Sequence, residues 1–273
     1  MPAPGLIIAA PASGAGKTTL TLALLRHYAR TGIAVNPAKV GPDYIDPAFH
    51  HAASGRTCVN LDPWAMRHET LCGLIAQASS AVQLVLCEGV MGLFDGVLVD
   101  DSANTGSTAD LAILTGWPVI LVVDARGQGA SAAALVSGFA HYNPDVPIAG
   151  AIFNRVGGHQ HTSMISTAME AAMPHLPIIG MVPRDNTLDL PERHLGLVQA
   201  VEHSKFGTFC DKAADIVDTH LDTDALRALA APSSATSERL APLAPLGQRI
   251  AVAQDEAFTF AYDSVLEGWN AAG

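Results

Sequence analysis

Positive charge is scarce in this chain. Against 26 Asp and Glu it carries 15 Lys and Arg in 273 residues, a formal net charge of −11 at pH 7. A balance of that sign disfavours broad binding to nucleic acid or to anionic lipid. Aromatic residues are also scarce, at 5%, whereas hydrophobic residues reach 49%. An apolar stock of Ala, Leu and Val suits helices layered on a buried parallel sheet. Of the four cysteines, Cys58, Cys72, Cys87 and Cys210, no two have C-x-x-C spacing. They read as reduced, mostly buried thiols of a cytoplasmic protein. Uninterrupted apolar runs of membrane length are missing too. The stretch "GLIIAAPASGAGKTTLTLALL" is broken by Lys17 and two loop glycines, so it is neither a signal peptide nor a membrane span.

What is present alternates. "GLIIAA" (5–10) is a short apolar run ended by Pro11, the pattern of a buried first strand, and "KTTLTLALLRHYAR" follows with apolar residues at helical spacing up to Gly32. "IAVNPAKV", "VQLVLCE", "PVILVVDA", "IAGAIFN" and "PIIGMV" read as further strands, with helices expected over 64–78, 107–115, 129–141 and 160–172. This order predicts an α/β fold: a doubly wound, mostly parallel sheet with ligands at the carboxyl ends of its strands. Residues 1–230 form the expected main domain. "APSSATSERLAPLAPLGQ" (231–248) has linker composition, and 249–273, from "RIAVAQDE" on, start a further strand-loop-helix unit.

The chemistry is concentrated at the strand ends. "APASGAGKTT" (10–19) holds the second half of a phosphate-binding loop, with Pro11 where the usual pattern has its first glycine. Such a loop points successive backbone N–H groups at phosphates, with a helix N-terminus behind them. Ser13, Gly14, Ala15, Gly16, Lys17, Thr18 and Thr19 are the candidate nucleotide contacts. Lys17 is expected on the open side of the loop, reaching the β- and γ-phosphates, with the Thr18 hydroxyl on Mg2+. Pro11 precedes the cradle, so its missing N–H need not damage it. "KVGPDYIDPAFH" then places Asp43 and Asp46 just after the second strand, and "VLCEGVMGLFDG" places Glu88 at the end of the next long one, ahead of a loop containing Asp95. Carboxylates at strand ends beside a phosphate loop can hold Mg2+ directly or through water. The same acids could instead only shape turns around Pro42 and Pro47. His50, His51, His159 and His161 read as exposed loop histidines without an acid or Cys partner placed to complete a metal site, and Asp100 and Asp101 as solvated loop charges.

In family order, "APASGAGKTT", "KVGPDYIDPAFH", "NLDPWAM", "CEGVMGLFDG", "GSTADLA", "GAIFNRVGG" and "LPERHLGL" span nearly all of residues 5–200. With them the chain resembles the cobyrinic and hydrogenobyrinic acid a,c-diamide synthases of the corrin pathway, part of a P-loop group that also includes dethiobiotin synthetase. The resemblance implies an ATP-dependent carboxylate-amine ligase. ATP with Mg2+ phosphorylates the a and c side-chain carboxylates of a corrinoid polycarboxylic acid, and ammonia, normally from glutamine, displaces the phosphate. It implies catalytic roles for Lys17, Asp43, Asp46 and Glu88, with Thr18, Asp43 and Glu88 around the metal. Asn154 would read adenine, with Pro183 and Arg184 nearby. Tyr44, Gly89, Gly92 and Asp95 would line the corrin pocket, and Arg193 and His194 would meet substrate carboxylates. Homodimer formation stays open.

Complete members of that family carry a glutaminase domain after a linker, and "RIAVAQDEAFTFAY" looks like its beginning. A glutaminase needs a nucleophilic Cys, and none follows Cys210. The expectation is a synthetase domain lacking its glutaminase partner. Two alternatives share the loop. One is another carboxylate-activating ligase, of the dethiobiotin synthetase or cobyric acid synthase kind. The other is a MinD/ParA-type switch ATPase, but such proteins place a second lysine where this chain has Ala12.

Overall fold

The computed structural model describes residues 2–97, 105–188, 206–235, 243–255, 258 and 260–273, with the backbone of 192–193 and 196–197. Seven parallel strands form the main sheet: β1 (Gly5–Ala9), β2 (Val35–Val40), β3 (Val59–Leu61), β4 (Leu84–Glu88), β5 (Val119–Asp124), β6 (Ile148–Val156) and β7 (Ile178–Pro183). Their order is β3-β2-β4-β1-β5-β6-β7, so β1 is central. Every residue of β1 and β4 is buried, which is why both read as unbroken apolar runs rather than alternating ones.

Helices cover both faces. Leu6 and Ile8 of β1 point into one core with α1 (Lys17–Arg30), α2 (Asp46–Ser54) and α7 (Phe206–His220), where Phe49 meets Phe206 edge-on at 4.9 Å. Ile7 and Ala9 point into the other, with α3 (His68–Ala78), α4 (Thr108–Thr115), α5 (Ser131–Tyr142) and α6 (His159–Ala172). The two-residue period of β1 thus divides the molecule into two apolar layers. A short α8 (Thr223–Ala228) follows α7, and a two-stranded antiparallel ladder, β8 (Glu192–Arg193) with β9 (Gly196–Leu197), precedes it.

α1 ends as its sequence predicts, with Gly32 in the left-handed region at φ +80°. "GSTADLA" is a helix start: Ser107 Oγ accepts from Asp110 N, and Asp110 Oδ2 accepts from Ser107 N, a reciprocal cap on α4. One expectation fails. No strand forms over 249–255, and only α9 (Asp263–Ala272) is regular there. A strand exists only against a neighbour that completes its ladder, and among the described residues none pairs with this segment. The segment packs instead through side chains. Tyr44 stacks on Tyr262 at 4.5 Å and on Phe260 at 5.2 Å, and Gln77 Nε2 donates to Glu267 Oε2 at 2.8 Å. Residues 231–235, expected to be linker, are partly tied to the domain: Ala231 bridges Gly5 of β1, and Ser234 N donates to Thr115 O at the end of α4. No helix among the described residues is long and apolar enough to cross a membrane.

Candidate functional site

The β1–α1 connection is built for close approach. Gly14 (φ +79°) and Gly16 (φ +97°) both sit in the left-handed region, and a Cβ on Gly16 would lie 2.2 Å from Asn154 Nδ2. With glycine at its N-cap, α1 has no side-chain cap, so the first N–H groups of the helix face the loop mouth. The loop is braced from the far side of β1. Asn154 Nδ2 donates to Ala15 O at 2.9 Å, and Arg155 Nη1 donates to Gly14 O at 2.7 Å. Asp124 Oδ2 fixes the same guanidinium at 2.8 Å. These bonds leave the loop's N–H groups uncommitted by using its carbonyls.

Lys17 departs from expectation. It is buried, not on the open side, and Nζ donates to Met91 O at 2.5 Å. Burial and nearby Lys39 lower its pKa, against opposing pulls from Glu88, Asp46 and Asp95. Its partner is a neutral carbonyl, which an anionic oxygen placed in the loop can outcompete. The 89–96 loop that offers this carbonyl is itself pinned: Thr108 Oγ1 accepts from Val90 N at 2.9 Å, Leu93 N donates to Ala10 O, and Asp95 Oδ2 accepts from Gly92 N. Gly89 N donates to Ile8 O, so Gly89 and Gly92 lie directly against β1 and the phosphate loop.

Behind the loop is a buried charge cluster centred on a residue the sequence reading did not single out. Lys39 Nζ, at the end of β2, lies 2.6 Å from Asp46 Oδ2, 3.1 Å from Glu88 Oε1 and 3.8 Å from Asp43 Oδ2. Thr18 Oγ1 donates to Glu88 Oε1 at 2.6 Å, and His50 Nε2 meets Glu88 Oε2 at 2.6 Å. Burial disfavours a charged Glu88, but Lys39, His50 and Thr18 outweigh it and hold the carboxyl well below the usual range. Burial and the Glu88 charge push Asp46 up to about 6, with Lys39 pulling the other way. Burial likewise works against the Lys39 charge, yet the carboxylates overcome it and keep the ammonium protonated. Asp43 is a turn former at one oxygen, where Oδ1 accepts from Ile45 N and Asp46 N, while Oδ2 faces Lys39.

Two signals pointed to this cluster. A lysine inside the buried run "VNPAKV" needs a partner, and Asp46 and His50 are four apart, on one face of α2. His50, expected to be an exposed loop histidine without acid or Cys partner, is instead fully buried between Glu88 and Cys58, whose Sγ is 3.4 Å from Nδ1. The expectation failed because "HH" carries no mark of which ring faces inward. Burial raises the Cys58 thiol well above its ordinary pKa, so it stays protonated. His161 is also engaged, accepting from Gly157 N at 2.8 Å and bonded through Nε2 to Gln128 O. His51 and His159 are exposed as expected, but on helices α2 and α6 rather than in loops.

The remaining candidates divide. Tyr44 is stacked on Tyr262 and Phe260. Arg184 N donates to Val156 O, which sets Pro183 and Arg184 beside the β6 end that carries Asn154. Ser13 is exposed in the loop, and Thr19 Oγ1 makes a long 3.4 Å bond to Leu188 O. For Arg193 the backbone alone is described, in β8; His194, Asp100 and Asp101 lie outside the described residues.

No group of three His, Cys, Asp or Glu able to hold a metal occurs among the described residues. A magnesium site does not require one, because this ion keeps several waters and takes one or two carboxylates together with phosphate oxygens. Thr18 donates its proton to Glu88, which leaves the hydroxyl lone pairs uncommitted by that bond, so the pair offers all-oxygen ligation of that kind.

A central strand that ends in a glycine-lysine-threonine loop, in a seven-stranded parallel sheet covered on both faces, defines a P-loop nucleotide-binding domain. Residues 6–198 match the CbiA family model, described as the CobQ/CobB/MinD/ParA nucleotide binding domain, and the chain belongs to that family. Among curated relatives, the hydrogenobyrinate a,c-diamide synthase of Brucella anthropi is 52% identical over 272 residues, covering 98% of this chain and 61% of that protein. The protein of the same name from Rhizobium meliloti is 49% identical over 269 residues, with the same coverages. The chain therefore spans 61% of the length of these relatives. Among solved structures, chloroplast FtsY from Physcomitrella patens aligns with a TM-score of 0.47 at 16% identity, over 78% of this chain and 65% of that one. So weak a likeness carries no argument.

Proposed function

We propose that this chain is the synthetase part of a hydrogenobyrinic acid a,c-diamide synthase: it binds ATP with Mg2+ and amidates ring-side carboxylates. The observation that carries the reading is the single file Thr18–Glu88–Lys39–Asp46, which joins the phosphate loop to the acidic loop after β2. The relatives are named for hydrogenobyrinate, which supplies the substrate of this reading.

In this reading the loop N–H groups and Lys17 hold the phosphates, with Thr18 and Glu88 on the metal side. Mg2+ would supply charge neutralisation at the γ-phosphate. A substrate carboxylate oxygen bonds to the γ-phosphorus as the bond to ADP breaks. Ammonia then adds to the acyl carbon, phosphate departs with the C–O electron pair, and a proton is released. The Lys39 ammonium, held between Asp46 and Glu88, keeps the two acids apart and fixes where the acceptor carboxylate can lie. Asn154, Pro183 and Arg184 would border the base, and Tyr44 the corrin. Residues from 249 on would open a glutaminase-like domain.

The test is mass spectrometry of products from ATP, Mg2+ and hydrogenobyrinic or cobyrinic acid, with ammonium or with ammonia-free glutamine. We expect the mono- and diamide with ammonium and neither with glutamine alone, since residues 211–273 hold no thiol to release ammonia. Phosphate release that no corrin acid stimulates would overturn the reading. Robust glutamine-driven amidation would overturn the nitrogen assignment.

The acids should separate by role. Asp43→Asn keeps the oxygen that caps Ile45 and Asp46 but loses the charge. Melting temperature should hold, while the rate falls and the Mg2+ requirement rises. Glu88→Gln should lower the rate and raise the Mg2+ requirement more severely, and should lower the melting temperature as well, because one side of a primary amide can only donate, and it would face Thr18, Lys39 or His50. Unchanged rates at limiting Mg2+ in both variants would reduce these acids to structural roles.

A further inference from the structure

We infer that His50 is a positioning residue that sets the orientation of the Glu88 carboxylate, and through it the Mg2+ response of the nucleotide site. The inference rests on the nucleotide reading above. Glu88 is buried, and its two oxygens are served from different elements. Thr18 of α1 and Lys39 of β2 both bind Oε1, at 2.6 and 3.1 Å, whereas among the described residues it is His50 of α2 that meets Oε2, at 2.6 Å. A carboxylate held only at Oε1 can still turn about its Cγ–Cδ bond. A second donor on the opposite oxygen fixes that angle and with it the face Oε1 presents to Thr18. Facing a carboxylate, Nε2 is the donor in either charge state of the ring. Nδ1 is left to Cys58 Sγ at 3.4 Å, which holds the ring plane from behind.

The placement has further support. His50 is 0% exposed, so in the folded protein bulk water does not compete with the ring for Oε2. It also shares α2 with Asp46, whose Oδ2 is bound to the same Lys39 that binds Glu88. One helix thereby reaches Glu88 twice, directly through His50 and indirectly through Asp46 and Lys39. "KVGPDYIDPAFH" carries Lys39, Asp46 and His50 within twelve residues.

The experiment measures binding of a fluorescent ATP analogue, with and without Mg2+, to wild type and to H50Q, H50N and H50F, together with each variant's melting temperature. The amide nitrogen of Gln can reach the place of Nε2, that of Asn sits nearer Nδ1, and Phe fills the volume with no donor. We expect Mg2+ to tighten binding to wild type and to H50Q. In H50N and H50F the Mg2+ concentration for half effect should rise about ten- to a hundredfold, with metal-free binding unchanged. A role in packing alone predicts the other pattern, with melting temperatures falling and the Mg2+ response intact. Folded H50N and H50F with a wild-type Mg2+ response would overturn the inference and leave the nucleotide reading standing. Absence of any Mg2+ effect in wild type would overturn both.

Discussion

Lys17→Ala is expected to abolish ATP turnover, by a hundredfold or more, in a protein that still folds. The magnitude follows from what one preorganised charge supplies to a transfer reaction in a water-poor site. The Lys17 ammonium is buried at the start of α1 and its bonded partner is the Met91 carbonyl, not a carboxylate. It is therefore available to an incoming phosphate at little cost, unlike Lys39, which is locked among acids. The fold should survive for two reasons. Alanine is the best helix former, and the change leaves only one carbonyl oxygen unpartnered, a cost of about 1–3 kcal/mol. Lys17→Arg should not restore activity, because a planar guanidinium cannot take the place of a compact ammonium in a closed loop. Burial lowers the Lys17 pKa, so wild-type turnover should decline on the alkaline side before an ordinary lysine would discharge. The measurement is steady-state ATP hydrolysis beside circular dichroism and thermal melting. A folded Lys17→Ala protein with near-normal turnover would sink the phosphate-loop assignment.

How much of this was legible without coordinates depends on the range of the interaction. β1, the loop and α1 are contiguous, and their signals are local: a buried run, two glycines needed at positive φ, then helical spacing. The order of Asp43, Asp46 and Glu88 after strands was readable for the same reason. What pairs with what was not. Lys39 and Glu88 are 49 residues apart, and His50 and Glu88 are 38 apart. Only the β2–β4 register, Lys39 opposite Glu88, brings these residues together. Periodicity says which face a residue takes but not which distant strand becomes its neighbour. The same limit produced the failed strand after residue 249. Its pattern is strand-like, but a strand is a property of a pair.

Lys39→Met is expected to cost the most stability of any single change at the site, with a distinctive dependence on pH. Methionine matches the length of the aliphatic stem, so packing is largely kept and the loss is electrostatic. Without the ammonium, Glu88 and Asp46 face each other in a buried space with Asp43 beside them, and His50 and Thr18 as the nearest donors. Removing one member of a buried ion pair typically costs about 3–5 kcal/mol, and here one cation serves three anions. The sign with pH follows from linkage. In wild type Glu88 is held low, so its contribution is present at neutral pH and is lost as pH falls through the carboxylate range. Asp46, raised to about 6, opposes this: its folded form prefers the proton, and stability from it is lost as pH rises through that value. In the variant the largest of the pulls that lowered Glu88 is gone and the one on Asp46 with it, so burial and mutual repulsion move both acids upward against what His50 and Thr18 still supply. The native state then binds more protons than the unfolded chain at neutral pH, and stability must rise as pH falls toward 5. Urea unfolding of wild type and Lys39→Met between pH 5 and 8 tests this, the gap narrowing toward the acid end. A gap that stays constant across the range would mean that Lys39 contributes its packing and not its charge. Turnover should be lost at every pH, because protonating the acids restores the fold but not the ammonium that keeps Asp46 and Glu88 in place.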